Sequence, residues 1–174
     1  EIKEQIRVLF ASAEPVDQES VSWTEVRDEI ETTFRARLDR IGKDGESAKF
    51  EFKAIDGTTR TALLDAVTQE PFDIFHFSGH GEVVKGIGYL ILTDRKTRKS
   101  VRIRADELGQ ILGDRQIRLA VLGACETAAG DFKDDFSLVA ESLVRAGIPA
   151  VVANQLPIPD KTVATFVEAL YKEL

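Results

Sequence analysis

The chain has 174 residues, of which 43% are hydrophobic and 30% charged, and its formal net charge is −7. This length fits one domain with a single core, and no apolar run approaches the roughly 20 residues needed to span a bilayer. The negative charge argues against broad binding to nucleic acid, because the protein as a whole repels phosphate. We therefore expect a soluble domain that contacts no membrane and, by itself, no nucleic acid or nucleotide.

The cysteine and methionine content bears on the compartment and on the extent of the protein. Cys125 is the only cysteine and cannot form an internal disulfide, and the charged residues 1–5 lack the apolar stretch of a secretory signal. A reducing cytoplasm is the compartment that fits. Methionine is absent, and the last residues are still in a helical pattern. We expect residues 1–174 to be a single domain excised from a longer multi-domain protein.

Strand and helix patterns alternate along the chain. In order they predict a strand over 6–11, a helix over 24–40, a strand over 49–55, a helix around 63–67, a strand over 73–78, a hairpin of 89–92 and 100–103, a helix over 106–112, a strand over 117–122, a helix around 136–144 that ends at Gly147, a strand over 150–153 and a last helix from about Asp160. Ser22 and Glu25 form a capping box before the first helix. The alternation predicts an α/β domain with a mainly parallel central sheet, helices on both faces and an inserted β-hairpin.

Two of the predicted strands end in a reactive side chain. The segment His-Phe-Ser-Gly-His-Gly at 76–81 contains His80, and Leu-Gly-Ala-Cys-Glu-Thr at 122–127 contains Cys125. Because the carboxyl ends of parallel strands meet at one edge of a sheet, we expect the two side chains to lie close together. A thiol beside an imidazole is the minimum equipment of a cysteine hydrolase, in which the thiol attacks a carbonyl.

The glycines around His80 strengthen this interpretation. Gly79 and Gly81 permit positive φ and let a substrate backbone approach closely, and the sequence gives no packing reason for them. The backbone N–H groups of Gly81 and Cys125 are the expected donors to the oxyanion. No third orienting residue can be named, because Asp73 lies too far back on its strand and Glu126 is equally suited to be an N-terminal helix acid.

Metal and cofactor sites are not expected. His76 and His80 are four residues apart, but that spacing places two ligands on one face only in a helix, and this segment is a predicted strand. No second cysteine is present to complete a zinc site. The glycines miss the spacing of a dinucleotide-binding loop. We expect neither a metal nor another cofactor.

One stretch departs from the acidic character of the chain. Between residues 94 and 104 six basic residues stand against a single acid: Arg95, Lys96, Arg98, Lys99, Arg102 and Arg104. The stretch can serve as a contact for an acidic partner or a nucleotide, or it can be a solvated hairpin tip, which is the commoner case. The sequence leaves both interpretations open.

The segments at 76–81 and 122–127, with Ala-Gly-Ile-Pro-Ala-Val-Val-Ala-Asn-Gln at 146–155, resemble the CHAT domain, a caspase-like peptidase module related to caspases and separases. The likeness covers nearly the whole chain. His80 precedes Cys125 by 45 positions, close to the roughly 50 of caspases. The resemblance implies a three-layer α/β/α caspase-like fold, a catalytic dyad of His80 and Cys125, and Gly81 as an oxyanion donor.

Some residues depart from the patterns of the related families. Metacaspases have an acid directly before the cysteine, where this chain has Ala124. Of the acidic stretch with which separases select arginine, the similar segment at 156–160 retains only Asp160, which is as well placed to be a helix N-cap. Preference at the cleaved bond is therefore open, with Asp160 as the one candidate substrate-binding residue.

The resemblance implies a cysteine endopeptidase that acts on protein substrates and is regulated by domains or subunits outside this chain, including in bacterial defence or signalling systems. The alternative is a catalytically silent caspase-like scaffold or binding module that uses the basic hairpin and the sheet edge. A Cys125 sulfur far from the His80 ring, or buried behind side chains, would favour the scaffold. A small-molecule amidase is a third hypothesis and would need a closed pocket.

Overall fold

The computed structural model of the chain describes residues 5–18, 23–41, 49–123, 136–153, 165–166 and 169–170, without the side chains of 34, 37–41 and 49. Its elements are β1 (Gln5–Ser12), α1 (Trp23–Ile41), β2 (Lys49–Ile55), α2 (Arg60–Gln69), β3 (Ile74–Ser78), β4 (His80–Val84), β5 (Ile87–Thr93), β6 (Ser100–Arg104), α3 (Ala105–Gly113), β7 (Leu119–Gly123), α4 (Ser137–Arg145) and β8 (Ala150–Ala153). Residues 165–166 and 169–170 are also helical.

The central sheet has five parallel strands in the order β2-β1-β3-β7-β8. Strands β3 and β7 are buried along their whole length, which explains their nearly continuous apolar sequences. From β1 the chain goes outward to β2 and then returns to β3 on the other side of β1. The adjacent strands β1 and β3 therefore flank the point where the strand order reverses, and ligands of parallel sheets bind beside such a point.

Helices cover both faces of this sheet. On one face Trp23, Val26 and Ile30 of α1 pack against Val8 and Phe10 of β1. On the other face the buried side chains of α2, α3 and α4 join the inner side of a second, smaller sheet in one core cluster. The predicted α/β fold with a mainly parallel sheet and helices on both faces is confirmed.

The predicted hairpin is part of a larger unit. Strands β4, β5 and β6 form an antiparallel sheet, here called the small sheet, and its first strand begins at His80. The predicted hairpin corresponds to β5 and β6 and is confirmed, but sequence analysis missed β4, which contains His80 and pairs with β5. Strand β4 escapes sequence analysis because Gly81 and Glu82 interrupt the apolar pattern of its five residues.

Smaller predictions gave mixed results. Gly147 follows the end of α4 with a φ of +96°, as an end signal should. Val144, the last residue of the apolar pattern that predicts this helix, is 55% exposed. The start of the last helix at Asp160 lies outside the described residues. None of the helices in the described part of the chain is long and apolar enough to cross a membrane.

Candidate active site

The segment before His80 is joined directly to the strand that leads to Cys125. Ser78, the last residue of β3, is the register partner of Gly123, the last residue of β7. The backbone N–H of Gly79 also donates a hydrogen bond of 3.1 Å to the carbonyl oxygen of Gly123. His80 and Cys125 each follow one of these paired residues by two positions. Cys125 itself lies outside the described residues.

The His80 ring lies beside Trp23, the first residue of α1. The two ring centroids are 6.5 Å apart and the ring planes are nearly perpendicular, at 80°. His80 is 8% exposed and Trp23 is 3% exposed. Contact with the large indole restricts rotation of the imidazole, which is what a base with a fixed direction needs.

Sequence analysis gave Trp23 no role at the site. Trp23 is the only tryptophan of the chain and lies between Ser22 and Glu25 of the predicted capping box. The sequence did contain one indication that Trp23 lies near His80. Trp23 begins the helix that follows β1, and β1 and β3 end at the same edge of the sheet. The buried indole Nε1–H has no hydrogen-bond partner among the described residues.

The outer face of the small sheet continues the surroundings of His80. His80 is opposite Ile91, and Ile91 is opposite Arg102. Arg102 donates hydrogen bonds of 2.6 and 2.8 Å to the two carboxylate oxygens of Glu82. These bonds hold the pKa of Glu82 below its ordinary value. Glu82 is thus committed to an ion pair and is a poor candidate for proton transfer at the site.

The glycines beside His80 have a packing reason, contrary to the expectation. Neither has a positive φ; the described glycines that do are Gly57, Gly86 and Gly147. A Cβ on Gly79 would stand 2.6 Å from the Phe77 ring, and one on Gly81 would stand 2.6 Å from the Phe136 ring. The two phenylalanine rings meet edge to face at 6.5 Å. The glycines therefore give these rings room beneath the His80 segment.

Gly81→Ala is expected to lower the free energy of unfolding by about 1–3 kcal/mol, because the added methyl overpacks against the fully buried Phe136. Chemical denaturation measures the loss. Gly123→Ala is the matched control, since among the described residues its Cβ would meet nothing closer than the Phe77 carbonyl oxygen at 3.8 Å. Adding Phe136→Leu to Gly81→Ala should restore part of the loss. Equal stability of the two alanine variants would contradict the packing explanation.

The other residues considered for the site lie elsewhere. His76, in the middle of β3, is 1% exposed, and its ring centroid is 5.3 Å from that of Phe10. Burial lowers the pKa of His76 to about 3. Asp73 lies just before β3, at the opposite sheet edge from His80, and accepts a hydrogen bond from the Arg7 backbone N–H at 3.1 Å. No group of three metal-ligating side chains occurs within the described ranges.

Comparison with protein families agrees with this architecture. The profile described as CHAT domain matches residues 2–174. The chain belongs to the CHAT domain family. This CHAT domain is thereby related to caspase-like cysteine peptidases. No curated protein matches the sequence.

Of the two remaining predicted site residues, the structure describes Gly81 but not Asp160. Gly81 of the CHAT domain lies in β4, with Leu90 of β5 as its register partner. Asp160, the candidate for substrate binding, lies outside the described residues, as Cys125 does. The described part of the site therefore comprises His80, Gly81 and Trp23, together with the strand end at Gly123.

Proposed function

We propose that this CHAT domain is a cysteine endopeptidase that cleaves protein substrates, with Cys125 as nucleophile and His80 as general base. The observation that carries the proposal is the pairing of Ser78 with Gly123, reinforced by the Gly79–Gly123 hydrogen bond. Adjacent strands lie about 4.8 Å apart. The two strands that lead to the imidazole and the thiol thus end as immediate neighbours.

The proposed reaction needs only these groups and water. His80 takes the proton of the Cys125 thiol, and the sulfur attacks the carbonyl carbon of the peptide bond. Backbone N–H groups of Gly81 and Cys125 stabilise the oxyanion. The C–N bond breaks as His80 returns the proton to the leaving amine. Water then attacks the thioester while His80 accepts its proton, and the acid product leaves with the free thiol restored.

His80 is 8% exposed, so within this proposal a substrate reaches the imidazole only when access to it opens. Within the proposal, residues 1–174 are one domain of a larger cytoplasmic protein, and other domains or subunits regulate access to the site. Operation in a bacterial defence or signalling system belongs to the same proposal, as does a contribution of Asp160 to the choice of the cleaved bond.

Mass spectrometry of cleavage products tests the function. The chain is incubated with a proteome-derived peptide library, and new N-termini are compared between the original chain and Cys125→Ala. We expect a consistent set of new termini from the original chain, none from the variant, and covalent labelling of Cys125 by a peptidyl acyloxymethyl ketone. The same new termini from Cys125→Ala would exclude the thiol mechanism.

The catalytically silent scaffold remains the second candidate, and the burial of His80 is the observation that favours it. The same experiment separates the two functions. A scaffold produces no new termini, and its Cys125 reacts no faster with the peptidyl probe than with a small alkylating reagent of equal reactivity. A peptidase captures the probe through its substrate site and reacts with it preferentially.

A further inference from the structure

The connection between β5 and β6 presents four exposed cations: Arg95, Lys96, Arg98 and Lys99. We call these four residues the basic turn. The other two basic residues of the stretch have carboxylate partners, since Arg102 pairs with Glu82 and Arg104 with Asp106. Within the described part of the chain, no residue of the basic turn forms such an ion pair. Lys96 and Lys99 interact electrostatically with Asp94 and Asp17, but without ion pairing all four exposed cations can still reach an acidic partner.

The conformation of the basic turn is fixed from within. The Asp94 carboxylate accepts hydrogen bonds from the backbone N–H groups of Lys96, at 3.0 Å, and Thr97, at 2.7 Å. It also accepts one from the Thr97 hydroxyl at 2.9 Å. The bonds from Thr97 and Lys96 hold the pKa of Asp94 below its ordinary value. The carboxylate thus orders the loop backbone.

The loop after β1 fixes the same turn from outside. Asp17 accepts hydrogen bonds from the backbone N–H and the hydroxyl of Ser100, at 2.7 and 3.0 Å. The backbone N–H of Val16 donates to the carbonyl oxygen of Arg98 at 2.9 Å. A merely solvated hairpin tip needs no such attachment. An ordered array of cations loses less entropy on binding an anionic segment than a mobile tip would.

The basic turn lies on the same edge as the candidate active site. Ile91 is opposite His80, and Asp94 follows Ile91 by three residues, or about 10 Å of strand. Thr93 at the end of β5 donates its backbone N–H to the carbonyl oxygen of Thr58, beyond the end of β2. The turn is thus on the β1–β2 side of His80, whereas the end of β7 is on the other side.

We propose that the basic turn binds acidic residues of the protein substrate, about three to five positions from the cleaved bond at the 3.3 Å per residue of an extended peptide. This inference rests on the proposed peptidase function and adds the substrate class. A nucleic acid is the less suitable ligand. The chain carries a net charge of −7, and residues 94–99 include no aromatic side chain on which a base can stack.

Binding to the Cys125→Ala chain tests the inference without requiring cleavage. Fluorescence anisotropy compares two labelled 12-residue peptides that differ only in four glutamates against four glutamines. Because each exposed ion pair contributes only modestly and the peptide has four glutamates, we expect about tenfold tighter binding of the glutamate peptide at low salt. Salt should reduce this difference, because exposed pairs are screened.

A charge-matched pair of variants locates the site. Arg95→Glu with Lys96→Glu should abolish the preference for the glutamate peptide. Lys85→Glu with Arg118→Glu makes the same change in net charge and should preserve it: Lys85 lies at the other end of the small sheet, and Arg118 lies before β7. All four side chains are exposed. Thermal unfolding confirms that both double variants are folded.

Each outcome decides the inference. Equal binding of the two peptides, or equal loss of the preference in both double variants, would overturn it. Tighter binding of a single-stranded oligonucleotide of equal charge would also overturn it and assign the turn to nucleic acid. If the preference appears while the original chain cleaves nothing, the basic turn stands and the peptidase function fails. If cleavage occurs without any preference, the peptidase stands and the inference fails.

Discussion

His80→Gln is expected to reduce the kcat/KM of peptide cleavage about a thousandfold, because a general acid and base contributes typically ~10²–10⁴-fold to such reactions. Glutamine approximates the size of the imidazole and can still pack beside Trp23, but it cannot accept and return the proton. The measurement uses a fluorogenic peptide whose sequence is taken from an identified cleavage site.

The second histidine of the chain supplies the matched control. His76 is in the strand that leads to His80, yet it is buried beside Phe10, away from that sheet edge. His76→Leu should therefore cleave at nearly the original rate at neutral pH. Emission from Trp23, the only tryptophan, reports whether its surroundings beside His80 are intact. Similar rates for the two histidine variants would remove His80 from the mechanism.

Acidification is expected to destabilise the domain through His76. Burial lowers the pKa of this imidazole from 6.5 to about 3. Between these values the unfolded chain binds a proton that the folded chain excludes, so the free energy of unfolding falls as the pH falls. The stability that comes from keeping His76 uncharged is fully present above pH 6.5 and is lost by about pH 3. Its full size is about 4–5 kcal/mol, at about 1.4 kcal/mol per pH unit.

Urea denaturation across pH 7.5 to 3.5 measures this effect. His76→Leu removes the titrating ring while keeping an apolar side chain of similar size beside Phe10. Carboxylates titrate in the same range, but they are common to both chains and cancel in the comparison. The difference in free energy of unfolding between the chains should therefore change by about 1.4 kcal/mol per pH unit in the middle of the range. Parallel pH profiles would show that His76 does not titrate on unfolding.

The central sheet could be predicted from sequence because its strands are covered on both faces. A run such as 119–123 is apolar throughout, and little else but a buried strand fits it. Strand β4 could not be predicted in this way. Its first two residues, His80 and Gly81, are buried, whereas its last three are partly or fully exposed. The two buried residues are held by neighbours outside the strand.

The contacts that shape the candidate site join residues that are far apart in sequence. Phe136 lies 55 positions after Gly81, the glycine it requires, and Trp23 lies 57 positions before His80, the ring it contacts. Local patterns carry no information about such partners. The positions of His80 and Cys125 after two strands could be predicted. The packing reason for Gly79 and Gly81 could not, because it depends on the rings of Phe77 and Phe136.

The small sheet also offers a route for engineered control. Strand β4 has His80 at one end and, after Val84, the exposed turn of Lys85 and Gly86 at the other. A Cβ on Gly86 would meet no atom of the described part of the chain within 4 Å, so foreign sequence has room to leave the surface there. A sensor domain grafted into this turn would be covalently continuous with the strand that holds the imidazole, and strain from its ligand would be transmitted over only five residues.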